Sequence, residues 1–371
     1  MKHSGVRSRS RWTTHSIVAI ILLGLQLGCE KPLMIGHQGA SQWEGIGLDT
    51  VRVTRLVLSA PYLYACAGPR GLYRRNIRAA GAWEYLGSPG LPPSDVQVGL
   101  YDGVTDVSVI GSDILVSFEG FLGATSDHGV GLWRSTDAGH TFARSDSGII
   151  AGLVSFSYAS SVVRSPFDPA IGIAIWGSIY RTTTGGTSWY YPQPQYEFGS
   201  YEPWFHSVRW QSTGHDRVWI YGVAYGGASL LAVSTDAGQT WKRYSLAQLG
   251  LEENCVIFDI GFDGTDPGVV YLATCPHLIK STDDGETWFS TQRPEEPVYR
   301  TLATHPRIHD LVYLSPGSTV FRSTDGARTV FCSLGSPNGT MIRSMIVDGA
   351  VGDLYVAAST GVFRFKNVTG Y

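Results

Sequence analysis

The chain has 371 residues, of which 45 are Gly, 12% are aromatic and only 16% are charged, with a net charge of −3. Glycine is well above its average of about 7%, which suits a fold with many turns. The charge balance excludes a nucleic-acid partner, which needs a basic surplus for phosphate contacts, and excludes electrostatic attachment to an anionic lipid surface.

The N-terminus is predicted to lie outside the fold. Lys2, Arg7, Arg9 and Arg11 precede a largely apolar run of 12 residues, Ser16 to Leu27. That run is too short to span a bilayer as a helix and matches the apolar region of a signal peptide. Leu25-Gln26-Leu27-Gly28-Cys29 resembles a bacterial lipoprotein cleavage box, with Gln26 where that pattern prefers Leu. The alternative is an ordinary signal peptide followed by an incidental Cys. The expected division is residues 1–28 as signal peptide, 29–41 as a tether lipidated at Cys29, and 42–371 as the folded domain. Without the first 28 residues, 24 basic residues stand against 31 acidic ones. Membrane attachment then rests on the lipid, and the expected location is the bacterial cell envelope, in the periplasm or on the outer surface.

From residue 42 the chain repeats. The apolar residues that open each predicted third strand are Leu72, Leu132, Ile179, Leu231, Leu278, Val320 and Val362, at spacings of 60, 47, 52, 47, 42 and 42 residues. A period of ~40–50 residues with four short strands per unit marks a β-propeller blade. Seven anchors predict an all-β, single seven-bladed propeller. The fifth unit shows the internal order: strands at Val256–Ile260, Val269–Ala273, Leu278–Lys280 and Thr287–Phe289. The seventh unit ends one strand short. Gln42-Trp43-Glu44-Gly45-Ile46 looks like an outermost strand, so residues 42–50 are expected to close the ring and hide its edges.

One phrase punctuates the units. It runs Ser135-Thr136-Asp137-Ala138-Gly139-His140-Thr141-Phe142, then Ser234 to Trp241 with Asp236 and Gly238, then Ser281 to Trp288 with Asp283 and Gly285. Thr182 to Trp189 is a worn copy with Thr184 for Asp, and Ser323 to Val330 keeps Asp325 but has Gly326 one place early. Ser and Asp side chains hold tight turns by bonding nearby backbone N–H groups. Gly supplies positive φ, and Thr with an aromatic starts the return strand. The pattern S-x-D-x-G-x-T-W resembles the Asp-box (BNR) repeat. That class is found in sialidases, sortilin-type receptors, some glucanases and photosystem II assembly factors. The resemblance implies a propeller and a structural role for the box, and is nearly silent on activity. It places the box carboxylates on the face away from the usual ligand side.

The opposite face carries the uneven loops between blades. Glu119 to Gly131 holds Phe121, Asp127 and His128. Trp189 to His206 is the richest segment, with eight aromatics in 18 residues. Tyr196, Glu197, Tyr201, Glu202, Trp204 and His206 are therefore the binding candidates, together with Asp127 and His128. Such aromatics stack on sugars or anchor protein interfaces; the competing reading is that several pack over blades three and four. The Asp263–Asp266 turn lacks the ordered ligand run of a calcium loop. Of the cysteines, Cys255 and Cys275 flank one predicted hairpin and are read either as a disulfide or as two small buried hydrophobes. No zinc spacing, phosphate loop or nucleophile signature occurs, so no metal or cofactor is expected. The Arg-Ile-Pro phrase typical of sialidases is absent.

In size, single propeller and lipoprotein start, the chain resembles the photosystem II assembly-factor type. The leading expectation is a non-catalytic scaffold binding a protein partner, with a membrane complex as one such partner. The alternative is an exported protein that binds glycans or cleaves them with a carboxylate pair.

Overall fold

The computed structural model describes residues 42–87, 91, 103–119, 131–149, 159–192, 204–213, 216–223, 229–275, 277–291, 298–328 and 332–367. Seven antiparallel sheets form a β-propeller. Blade one is β2 (Arg55–Ser59), β3 (Tyr62–Cys66), β4 (Leu72–Asn76) and β5 (Glu84–Tyr85), from the inside outward. Blade two is β6 (Gly103–Ile110), β7 (Asp113–Glu119), β8 (Gly131–Ser135) and β9 (Ala143–Arg144). Blade three has β10 (Ala159–Arg164), β11 (Gly172–Trp176) and β12 (Ser178–Thr182). Blade four is β13 (Trp204–Gln211), β14 (Arg217–Val223), β15 (Ser229–Ser234) and β16 (Lys242–Tyr244). Blade five is β17 (Ile257–Phe262), β18 (Val270–Thr274), β19 (Leu278–Ser281) and β20 (Phe289–Ser290). Blade six is β21 (Thr301–Thr304), β22 (Val312–Ser315), β23 (Val320–Ser323) and β24 (Cys332–Gly335). Blade seven is β25 (Ile342–Asp348), β26 (Asp353–Ala358) and β27 (Val362–Phe365), and its outer strand is β1 (Trp43–Gly45) from the other end of the chain.

Every anchor residue of the sequence period lies in a third strand. The second strands are apolar runs, such as Gly172–Trp176 and Asp353–Ala358, with every residue buried. Both faces of each blade pack on a neighbour, so these strands lose the alternation of a half-exposed sheet. In blade three the outer strand shrinks to one bridge, Arg181 with Tyr190. The described helical structure is a single 3-10 turn, Ala247–Leu249.

Blade seven closes by register. Trp43 pairs with Phe365, Glu44 with Arg364 and Gly45 with Phe363. The Trp43 ring meets Phe365 edge-on at 5.1 Å, and its Nε1–H donates to Leu334 O of blade six at 2.9 Å. Glu44 accepts from Arg364 at 2.7 Å and Lys366 at 2.9 Å, and these partners hold its pKa below the usual value.

The recurring phrase makes one turn geometry. Ser135 Oγ donates to Asp137 Oδ1 at 2.7 Å and accepts from Gly139 N–H at 2.8 Å, while Thr141 donates its N–H and hydroxyl to Asp137 at 2.9 and 2.6 Å. Ser234 with Asp236 and Ser281 with Asp283 repeat this, and Ser323 with Asp325 repeats the Ser–Asp bond at 2.8 Å. In the worn copy, Thr182 and Thr184 hydroxyls take both places, accepting from Gly186 N–H and Ser188 N–H. Two consecutive residues take positive φ in each turn, for example Ala138 at 60° and Gly139 at 88°. In blade six the order inverts to Gly326 and Ala327, which explains the displaced Gly. Each turn also donates one N–H to the inner hairpin of its own blade: Ala138 to Ser112 O, Gly185 to Ala170 O, Ala237 to Asp216 O, Asp284 to Gly268 O and Gly326 to Asp310 O. Cations from the preceding blade reach these turns, as Arg74 donates to Ala138 O at 2.6 Å and Arg181 to Ala237 O at 2.8 Å. The phrase thus fastens third strand, first hairpin and neighbouring blade at one end of the molecule. Trp241 is buried behind it, and Trp288, partly buried, donates to Gly285 O at 3.0 Å.

Candidate functional site

The innermost strands all begin at the other end, where the connections between blades arrive. Near the start of each comes a pair of residues, of which all but Thr301 line a central cavity, followed by a buried apolar one. The pairs are Thr54-Arg55, Thr105-Asp106, Ser160-Ser161, His206-Ser207, Phe258-Asp259, Arg300-Thr301 and Arg343-Ser344. The apolar residues that follow are Leu56, Val107, Val162, Val208, Ile260, Leu302 and Met345, all buried. A strand normally turns successive side chains to opposite faces. Here the register shifts between Val104 and Asp106, Ala159 and Ser161, Phe205 and Ser207, Ile257 and Asp259, and Ile342 and Ser344. Each shift is a β-bulge, and a bulge re-aims a side chain. The extra residues Thr105, Ser160, His206, Phe258 and Arg343 all line one cavity of ≈ 340 Å³ on the channel axis.

The second residue of several pairs stitches its blade to the next. Ser344 Oγ accepts from Leu56 N–H at 3.1 Å, and Ser161 Oγ accepts from Val208 N–H at 3.2 Å. Asp259 Oδ2 accepts from Leu302 N–H and the Thr301 hydroxyl, both at 3.1 Å. Asp106 accepts from the Ser161 hydroxyl at 2.6 Å and from Arg55 Nε at 2.6 Å. The two carboxylates of the well therefore stand where other blades place serine, and serve as acceptors in the ring.

Among the described residues, the well holds four guanidinium groups, those of Arg55, Arg209, Arg300 and Arg343, against the carboxylates of Asp106 and Asp259. That is a surplus of two positive charges at the axis of a chain whose net charge is −3. Burial opposes the charge of Arg55, but Asp106 together with Tyr221, Asp259 and Cys66 outweighs it and raises the pKa. Arg209 is different: burial, then the nearby Arg55 charge, lowers its pKa. Its guanidinium donates to Val208 O at 2.9 Å and stands 3.8 Å from Asp106. A guanidinium has five donors, so those two contacts leave capacity for an anionic ligand. Arg300 stacks over the Phe258 ring at 5.3 Å. Desolvation in the well pushes the His206 pKa down. Tyr221, raised by burial, completes the floor.

Of the residues singled out by sequence, the structure brings His206 into this well. Trp204 opens β13. Trp189 and Phe205 are core residues, Tyr190 bridges to Arg181, and Tyr191 packs against Tyr180. Asp127, His128, Tyr196, Glu197, Tyr201, Glu202 and Cys29 lie outside the described residues. Cys255 and Cys275 are both thiols. Asp263 caps its turn by accepting from Thr265 and Asp266, and with His309 and Asp310 forms the one group of potential metal ligands among the described residues. Lys280 Nζ pairs with one of its two carboxylates, 2.5 Å from Asp310.

No protein-family profile matches the sequence, and no curated protein matches it. Solved structures do share the fold. A GH74 enzyme of Niastella koreensis superposes with a TM-score of 0.67 at 14% identity, over 89% of this chain and 54% of that one. The GH74 xyloglucanase of Xanthomonas campestris gives 0.67 at 15%, over 88% and 54%. This chain thus spans about half the length of those enzymes. YCF48 bound to D1 peptide gives 0.63 at 15%, over 88% of this chain and 97% of that one. At these identities the likeness is one of fold: this chain is a seven-bladed β-propeller of the architecture shared by GH74 enzymes and YCF48.

Proposed function

We propose that this chain is an exported, lipid-anchored scaffold that holds a protein partner by a carboxylate-bearing segment seated in the axial well. The carrying observation is the surplus of arginine over aspartate there, above all the desolvated Arg209. Low-dielectric walls focus such a charge, and guanidinium matches carboxylate geometry. A neutral glycan leaves that charge uncompensated. Phe258 and Tyr221 offer apolar contact beside it. YCF48, a propeller of nearly the same extent, is bound to a peptide in its structure.

The well does contain two carboxylates, which supports a glycan-cleaving reading. Against it, Asp106 and Asp259 are committed as acceptors in the ring between blades. An acidic peptide and a neutral peptide of equal length, titrated by fluorescence anisotropy, test the proposal. The acidic one should bind, weaken as salt rises, and lose ~30-fold or more on Arg209→Ala, the ~2 kcal/mol lower bound for removing one partner of a buried charge pair. Arg209→Lys should recover only part, because the fork geometry is lost. Equal binding of both peptides refutes the proposal, as does glycan hydrolysis that vanishes on Asp259→Asn in a folded protein. Cys29→Ser should release the protein into the soluble exported fraction.

A further inference from the structure

We infer that Cys255 and Cys275 are a modification site, a dithiol that closes to a disulfide beside the well. Cys255 ends the connection into β17, with its N–H donating to Glu252 O at 3.0 Å. Cys275 follows β18, and its N–H donates to Val256 O at 3.0 Å. Ile257 pairs with Thr274, so the two cysteines flank the last rung of one antiparallel ladder. The Cys255 thiol lies against the Cys275 carbonyl, and both side chains pack on one apolar cluster with Tyr221 and Ile257. Cys275 stands opposite Val256 just past the end of the ladder, so Cys255 is its diagonal neighbour, and the Cys255 thiol reaches across to the Cys275 backbone.

The two thiols differ in access. Cys255 is 3% exposed, and burial raises its thiol pKa, whereas Cys275 is half-buried. The thiolate is the attacking form, so Cys275 attacks first. The Cys275 thiolate displaces one sulfur of a donor disulfide, such as glutathione disulfide, giving a mixed disulfide and one donor thiol. Cys255, losing its proton, then attacks the Cys275 sulfur and expels the second donor thiol. Two electrons pass from the pair to the donor. The bond would tie the connection before Ile257 and Phe258, two residues of the well wall, to the β18–β19 connection of the same blade. This rests on the geometry of the pair and not on the partner proposal.

Trypsin cuts after Arg243 and Lys280 and nowhere between, so both cysteines fall in one peptide, Tyr244 to Lys280. After exposure of the folded protein to glutathione disulfide, that peptide should be lighter by two hydrogen atoms and unreactive to iodoacetamide until reduced. Cys255→Ser should instead accumulate glutathione on Cys275, and Cys275→Ser should leave Cys255 unmodified. Buried Cys66 in the same sample should stay a thiol. A peptide that keeps both thiols, or Cys255 glutathionylated as fast as Cys275, overturns the inference.

Discussion

Trp43 is where the ring is closed, and its removal should cost more than any single exposed aromatic. The side chain is 8% exposed, packs edge-on against Phe365 and donates to the carbonyl of Leu334 on the next blade. A buried Trp takes ~150–250 Å² out of water, worth ~4–6 kcal/mol at ~25 cal/mol per Å². Alanine keeps a small part of that, and large aromatic truncations in cores measure ~3–5 kcal/mol. The indole hydrogen bond adds about 1 kcal/mol. Trp43→Ala should therefore lose about 4 kcal/mol in guanidinium unfolding. The control is Phe289→Ala on the outer strand of blade five, where a 40% exposed ring should cost about 1 kcal/mol. A chain beginning at Ile46 should lose more still and aggregate, because β27 becomes an open edge. If Trp43→Ala costs no more than Phe289→Ala, closure through β1 does not hold the ring and the argument fails.

Three further outcomes follow from the same contacts. Asp310→Asn should destabilise by about 3–5 kcal/mol in chemical denaturation, the range for a buried charge left without its partner, because Lys280 is 1% exposed and loses its carboxylate. Burial acts to raise the pKa of Asp236, but hydrogen bonds from Thr240 and Ser234 outweigh it and the net shift is downward. Its contribution is thus present above the unfolded aspartate range of about 4 and lost as pH falls through the lower folded value, so thermal scans should show a smaller acid loss for Asp236→Asn than for the parent. Ala138 holds φ 60° in a partly exposed turn, and Ala138→Gly should raise stability by about 0.5–1 kcal/mol by relieving the left-handed strain; an unchanged midpoint would place no strain there.

Five of the seven blades were legible because their third strands end in a phrase that physics keeps recognisable. A Ser, an Asp and a positive-φ pair are needed together to close the turn, so Ser135, Ser234, Ser281 and Ser323 recur with their partners. Even the departures kept the chemistry, since the Thr182 and Thr184 hydroxyls accept the bonds taken elsewhere by Ser and Asp. The dense aromatics from Trp189 to His206 were harder to assign, for a geometric reason. That stretch leaves the outer edge of blade three and becomes the inner strand of blade four. Within a few residues its side chains pass from core to edge, and from core to channel. Trp189 gives its Nε1–H to Ser145 O at 2.8 Å, Phe205 is buried, and the next residue, His206, faces the well.

The arginines of the well were missed because each is ordinary in its own blade. Arg55, Arg300 and Arg343 stand tens of residues apart, with no shared phrase, and Arg209 sits inside an aromatic stretch. Aligned on the buried apolar residue that follows, Arg300 and Arg343 share the first position of the pair and Arg55 takes the second, and every pair except Phe258-Asp259 is polar or charged throughout. That column could have been read from the sequence once the period was fixed. The bulges could not, because an inserted residue leaves composition unchanged and only the pairing of β6, β10, β13, β17 and β25 reveals it. The same column also carries the argument about activity. A carboxylate placed in it for catalysis would need oxygens available to substrate, whereas Asp106 and Asp259 occupy the acceptor position that Ser161 and Ser344 fill in other blades. Their presence is explained by the joining of blades, and among the described residues the wall of the well carries more arginine than aspartate.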